Sequence, residues 1–284
     1  MKKIMVEKSN NDSLISQLSI LYKAFKNTNE KEDLLFDLSM VEWGFPLLIL
    51  PIVAYVKNNK SKIVFDNSKI KSYLETIRFP KGVDSISEFE KQTQIHKSFI
   101  PISVLRKKSK IQRERLQSLF EMKIYKILGS IPGARNAIFY PMSELVTNIF
   151  EHSGKDEGYL FAQFYPSKKY LDICIVDCGI GLANGYNKAR GVNLSDEQAI
   201  IEAMSGNSIK SETERGYGLR TSKDVICKAL AGGEFILLSG SAVLVSLNKR
   251  ENIVTLPDFY WQGVVISYRI PKPDKPVNIS DFLE

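Results

Sequence analysis

Three short segments, in one order along the chain, constrain it most: Ser143 to Ser153, then Asp177-Cys178-Gly179-Ile180-Gly181, then Gly216-Tyr217-Gly218-Leu219. In the first, Glu144, Asn148 and His152 are four residues apart, so on a helix they stack on successive turns of one face. A face of carboxylate, amide and imidazole has little value as core. It is either an ordinary solvated face or a surface on which something polar docks. The Asn148 oxygen is a neutral ligand for a hard cation such as Mg²⁺, which keeps waters and substrate phosphates as its other ligands. Glu144, one turn earlier, is placed to orient or deprotonate a nucleophile near such an ion.

The second segment follows Leu171 to Val176, an apolar run with β-branched residues that reads as a buried strand. Asp177 at its end can accept a hydrogen bond from an exocyclic amine such as that of adenine. Gly179 and Gly181 let the backbone turn and approach a ligand closely. Taken alone, the pattern also fits a plain turn. In the third segment the glycines precede Arg220 to Leu230, which reads as a helix with Leu219, Val225, Ile226 and Leu230 on its apolar side. Glycines there leave the first N–H groups of the helix free for an anion, or simply make a loop-to-helix junction. About thirty polar residues separate the second and third segments, a length that suits a lid or binding loop.

Together the segments resemble the GHKL superfamily, which includes gyrase and histidine kinases. Glu144-x-x-x-Asn148 looks like its N box, Asp177-x-Gly179-x-Gly181 like its first glycine box, and Gly216-x-Gly218-Leu219 like its second. The resemblance covers about residues 118–272. It implies an α/β two-layer sandwich of the Bergerat type, a mixed and mainly antiparallel sheet with helices on one face. It also implies bound ATP and Mg²⁺, with Asn148 on the metal and Asp177 on the adenine amine. The glycines would shape the base and phosphate walls, and Glu144 would be the general base. Lys210 and Arg215 are further candidates for phosphate contact, with Lys155 a weaker one, and His152 either closes the helix end or contacts the phosphates. Glu-x-x-x-Asn-x-x-x-His-Ser is similar to the N box of anti-sigma-factor serine kinases. One departure is Val264, where the superfamily often has Thr beside the adenine; Ser267 is the candidate substitute.

The 284 residues suffice for two domains, and 44% hydrophobic with 25% charged residues reads as a soluble globular protein. The longest apolar run, Phe45 to Val56, is too short to span a membrane, and the N-terminus lacks a secretory apolar stretch. Cys174, Cys178 and Cys227 form neither a metal pattern nor a disulfide framework, so a reducing, cytoplasmic setting is expected. The net charge of +7 is partly concentrated between Arg106 and Arg115. No recognised nucleic-acid module accompanies that run, and a solvated linker helix is the expectation.

Ahead of this, Leu34 to Leu38 and Lys62 to Phe65 read as strands, and Phe45 to Lys57 and Ile70 to Ile77 as helices. That alternation is similar to a STAS-type domain over about residues 10–90. The hydroxyl that is often phosphorylated in that family is missing around Gly44. The expected organisation is a STAS-like domain over 1–90, a basic linker and helix over 91–117, and an ATP-binding domain over 118–284. Lys91 to Lys110 is read as the connector, and Ile111 to Leu128 as a helix stopped by Gly129. His96 and Pro101 have the spacing of a histidine-kinase phosphoacceptor box. The acidic neighbour of such a box is absent, and Pro101 opposes a continuous helix. The functional expectation is ATP hydrolysis coupled to a protein partner. Phosphotransfer to a protein serine or threonine and a non-catalytic nucleotide switch are the alternatives, and a homodimer is compatible with each.

Overall fold

A computed structural model describes residues 1–29, 31–95, 98–129, 131–206, 218–230 and 232–283. Among them, no helix is long and apolar enough to cross a membrane. The chain opens with β1 (Lys2–Met5), α1 (Leu14–Phe25), β2 (Leu34–Asp37), α2 (Pro46–Asn58) and β3 (Lys62–Val64). The three strands pair in parallel in the order β1-β2-β3. Ser13 caps α1 by accepting from the Ser16 N–H. Pro46 sits in the first turn of α2, where its missing N–H is harmless. Every residue from Pro46 to Tyr55 is buried. A helix apolar on all sides must be enclosed, and this one is.

Then come α3 (Lys71–Thr76), α4 (Ile86–Ile95), β4 (Phe99–Arg106), α5 (Lys110–Leu128) and α6 (Ala134–His152). The hairpin β5 (Glu157–Tyr165) and β6 (Tyr170–Asp177) leads to α7 (Gly181–Arg190) and α8 (Asp196–Met204). Next, α9 (Gly218–Asp224) runs into a π-helical turn, Val225–Ala229. The chain then forms β7 (Glu234–Gly240), β8 (Ala242–Leu247), β9 (Arg250–Thr255) and β10 (Trp261–Pro271). These strands make one seven-stranded sheet, ordered β4-β5-β6-β10-β7-β8-β9 and antiparallel at every pairing. The protein is thus mixed α/β with a large antiparallel sheet.

Both faces of the sheet are buried at its central strands, which explains why β5, β6 and β7 read as nearly unbroken apolar runs. Leu160, Ile173, Leu237 and Ile266 point into a core shared with α5, α6 and the residues after α9. Their alternates Tyr159, Phe161, Cys174, Ile236 and Val265 point into a second core shared with α1 and α2. Helices therefore cover both faces, not one, because the N-terminal unit lies on the back of the sheet. A buried polar bridge joins the two parts. Asp172 of β6 accepts from Arg269 Nε at 2.6 Å and from Gln17 Nε2 of α1 at 3.1 Å. Arg269 also donates to the Asp12 carbonyl at 2.6 Å.

The segment expected to connect two domains is instead built into the fold. Residues 86–95 form α4, and Phe99–Arg106 forms β4, which pairs with β5. Pro101 is accommodated because the register shifts between Ile100 and Ser103, and because β4 is an edge strand. The described part of the stretch expected to be a lid is largely helical, as α7 and α8. His96 lies outside the described residues, as do Lys210, Arg215 and Gly216.

Candidate functional site

One cleft gathers residues from all three sequence segments. Glu144, Asn148 and His152 line it from α6, Asp177 from the end of β6, Gly181 from the start of α7, and Gly218 and Leu219 from α9. The four-residue spacing on α6 thus faces a cavity. The adjoining apolar side of α6 carries Leu145, Val146 and Ile149, each at most 4% exposed, which pack into the core beneath the sheet, with Leu145 and Ile149 also at the cleft edge. Asn148 lines the cleft, and its side chain makes no hydrogen bond to a described residue. The floor is apolar, made by Ile175, Leu237, Val264 and Ile266.

Asp177 is the most tightly built member. It is 3% exposed, and its Oδ1 accepts from the Gly179 N–H at 2.8 Å. Burial pushes its carboxyl up to about 7, against the pull of the Gly179 and Val264 N–H groups and the Lys155 charge. Three glycines make this geometry possible. A Cβ on Gly179 would collide with the Ser153 carbonyl oxygen, so the loop can come this close to the end of α6 only with glycine there. Gly181 has φ +75°, which turns the chain into α7. Gly263 has φ +114°, and a Cβ on it would overlap the Asp177 carbonyl oxygen. It lies where β10 shifts register between Trp261 and Val264, a bulge of the kind often found beside functional sites. Gly179 itself is needed for close approach and not for a positive φ.

Several supporting residues carry no sequence signal. Ser239 Oγ accepts from the Leu182 N–H and donates to the Gly263 carbonyl, both at 3.0 Å, tying the glycine loop to the bulge. The Ile180 N–H donates to the Ser153 carbonyl at 2.9 Å. Trp261 Nε1 donates to the Asp177 carbonyl at 3.2 Å. Tyr186 of α7, 2% exposed, closes one wall. A serine in a strand or a glycine at its start has many ordinary reasons to be there, so only the assembled loop identifies these four contacts.

Gly218 packs against the Glu144 carboxylate so closely that a Cβ would overlap Oε2. The second glycine segment and the α6 acid are therefore one contact. Ser267, the candidate substitute for a threonine near Val264, does not reach the cleft. It is fully buried and donates to the Ile173 carbonyl at 3.2 Å. Side chains alternate along a strand, so Val264 and Ile266 face the cleft and Ser267 faces the other core. The described residues contain no group of three or more His, Cys, Asp or Glu side chains able to hold a metal. A cation here would take few protein ligands.

Gly263→Ala tests the bulge. With φ at +114° and no room for a Cβ, the variant is expected to lose about 1–3 kcal/mol in urea unfolding. Wild-type stability in this variant would show that the close approach to Asp177 is not obligatory.

Compared with protein-family models, curated proteins and solved structures, the chain matches none of them.

Proposed function

We propose that the cleft binds ATP with Mg²⁺, and that the protein is a GHKL-type ATPase or kinase-like protein with a Bergerat-type site and a STAS-like N-terminal unit. The observation that carries this reading is the buried carboxyl of Asp177, wrapped by Gly179 and Gly263 in the cleft that Glu144, Asn148 and His152 line. A carboxylate held at an apolar floor is an acceptor for an exocyclic amine, and the flat, glycine-walled space beside it suits a purine ring. The donor set also fits Mg²⁺, which prefers one or two protein oxygens plus phosphates and water. Asn148 supplies such an oxygen. Bound Mg²⁺ would neutralise charge on the β- and γ-phosphates.

In this reading each residue has one task. Asp177 orients the base. Glu144 accepts a proton from the attacking hydroxyl group, which belongs to water in hydrolysis or to a serine or threonine of a protein partner in phosphotransfer. Gly218 leaves room for the Glu144 carboxylate. Lys210, Arg215 and Gly216 belong to the same reading as phosphate contacts, and His152 as a phosphate neighbour.

Calorimetry with ATP, ADP and GTP, with and without Mg²⁺, tests the site. Binding of both adenine nucleotides is expected, with GTP much weaker; equal affinity for GTP would remove the base assignment. Glu144→Ala is expected to keep ATP binding and lower turnover by about 100-fold, the smaller end of what a general base contributes. Turnover at the wild-type rate in that variant would exclude Glu144 as the base. With γ-labelled ATP, released phosphate supports hydrolysis and label on protein supports phosphotransfer.

A further inference from the structure

A second cleft lies between the N-terminal unit and the loops behind the candidate site, with a volume of about 640 Å³. Its charge is one-sided. Among the described residues, Lys31, Lys57, Lys60 and Lys155 line it, against the single carboxylate of Asp33. Among the described residues, none of these four lysines makes an ion pair with a carboxylate. Lys57 Nζ donates to the Lys81 carbonyl at 2.9 Å, which holds its ammonium in place without neutralising it. Three distant parts of the chain supply the lining: the approach to β2, the end of α2, and the loop after α6. The fourth contributor, Gln262, comes from the β10 bulge that also brings Gly263 onto Asp177. Bulges re-aim side chains, and on either side of this one Gln262 lines the second cleft and Val264 the first.

We propose that this cleft is a second binding site, for a small, multiply charged phosphate compound. Four ammonium groups around one cavity of this size make a strong local field for a compact polyanion. Lysines bind phosphate as point charges and need no fixed fork geometry. Among the described residues, the lining has no aromatic or aliphatic residue. A single-stranded nucleic acid would want aromatic platforms for its bases, and a peptide would want apolar anchors. Apart from Lys155, whose charge also acts on Asp177, the site needs nothing from the nucleotide reading.

The test uses the full chain with tripolyphosphate as probe, followed by calorimetry and thermal unfolding at low salt. Lys31→Gln, Lys57→Gln and Lys60→Gln are combined in one variant, since none of them lines the first cleft. Wild type is expected to bind tripolyphosphate, more weakly as salt rises, and the triple variant about tenfold or more weakly still. Asn148→Asp, which repels phosphate from the first cleft, is expected to leave this binding unchanged. Equal affinity in the triple variant, or loss only in Asn148→Asp, overturns the second site. So does the same thermal shift from sodium chloride at matched ionic strength, or tighter binding of a single-stranded oligonucleotide than of tripolyphosphate.

Discussion

Asp177→Asn is expected to weaken adenine-nucleotide binding strongly while making the free protein harder to unfold above pH 7. Both effects have one cause. Burial raises the folded-state carboxyl from 3.8 to about 7. Between those values the folded chain keeps a proton that the unfolded chain releases. Stability therefore falls as pH rises from about 4 to about 7, and stays lower above that window. Asparagine is neutral, and its oxygen can still accept from the Gly179 N–H. The variant should gain about 2–4 kcal/mol at pH 8, near the value of a three-unit shift, and about nothing at pH 4. Urea unfolding at both pH values measures this. On the binding side, the asparagine NH₂ would face the cleft and meet the adenine amine donor to donor. A loss of about 100-fold or more is expected, from one lost hydrogen bond and one buried unpaired donor. In the wild type, affinity should fall as pH drops below 7, because the protonated carboxyl is a poorer acceptor. A variant that binds ATP normally would sink the adenine assignment, and one no more stable than wild type at pH 8 would sink the charge argument.

Arg269→Met should cost about 3–5 kcal/mol, the usual penalty for leaving a buried charge without its partner. Asp172 is completely buried, and Arg269 reaches it with Nε and Nη2 at 2.6 and 2.8 Å. Burial opposes the guanidinium charge, but the hydrogen bonds and charge of Asp172 prevail and raise the Arg269 pKa. The Arg269 guanidinium also stacks 3.8 Å from the Tyr170 ring centroid. Without the arginine, Asp172 must hold a proton or remain an isolated anion. The loss should therefore shrink toward pH 4, where the unfolded chain begins to hold the same proton. The pair Asp172→Leu with Arg269→Met should recover much of the loss, since two apolar groups replace two charges. Recovery will be incomplete because Gln17 Nε2 loses one of its two acceptors, keeping only the Asp12 carbonyl. Because Gln17 and Asp12 belong to the N-terminal unit, Arg269→Met should also expose α1 to proteolysis before the rest of the chain. If urea unfolding of Arg269→Met matches wild type, the bridge contributes no net stability.

The sequence was most legible where one face or one turn carries the information. Glu144, Asn148 and His152 share a cleft because helical spacing alone puts them on one side. The strand before Asp177 and the proline-led helix after Phe45 fall within a residue or two of expectation. The stripe Leu14, Leu18, Leu21 and Phe25 of α1 is also written at helical spacing, although nothing nearby announced it. Residues 99–106 were opaque for a clear reason. Their neighbours are basic and polar, and only pairing with β5 makes an edge strand out of a stretch containing Pro101.

What the sequence by itself determined is local: a polar helix face, a carboxylate ending a strand, and glycines where a chain must bend or approach closely. Those properties follow from backbone geometry and side-chain period, which act within a few residues. Tertiary structure decided the rest. It stacked the N-terminal unit on the back of the sheet, so that one core serves both parts. It turned Ser267 away from the cleft, brought Ser239 and Gly263 to it, and set Gly218 against Glu144. It also buried Asp177 deeply enough to move its carboxyl to about 7. Burial, register and close approach depend on partners more than fifty residues away, and no local pattern records them.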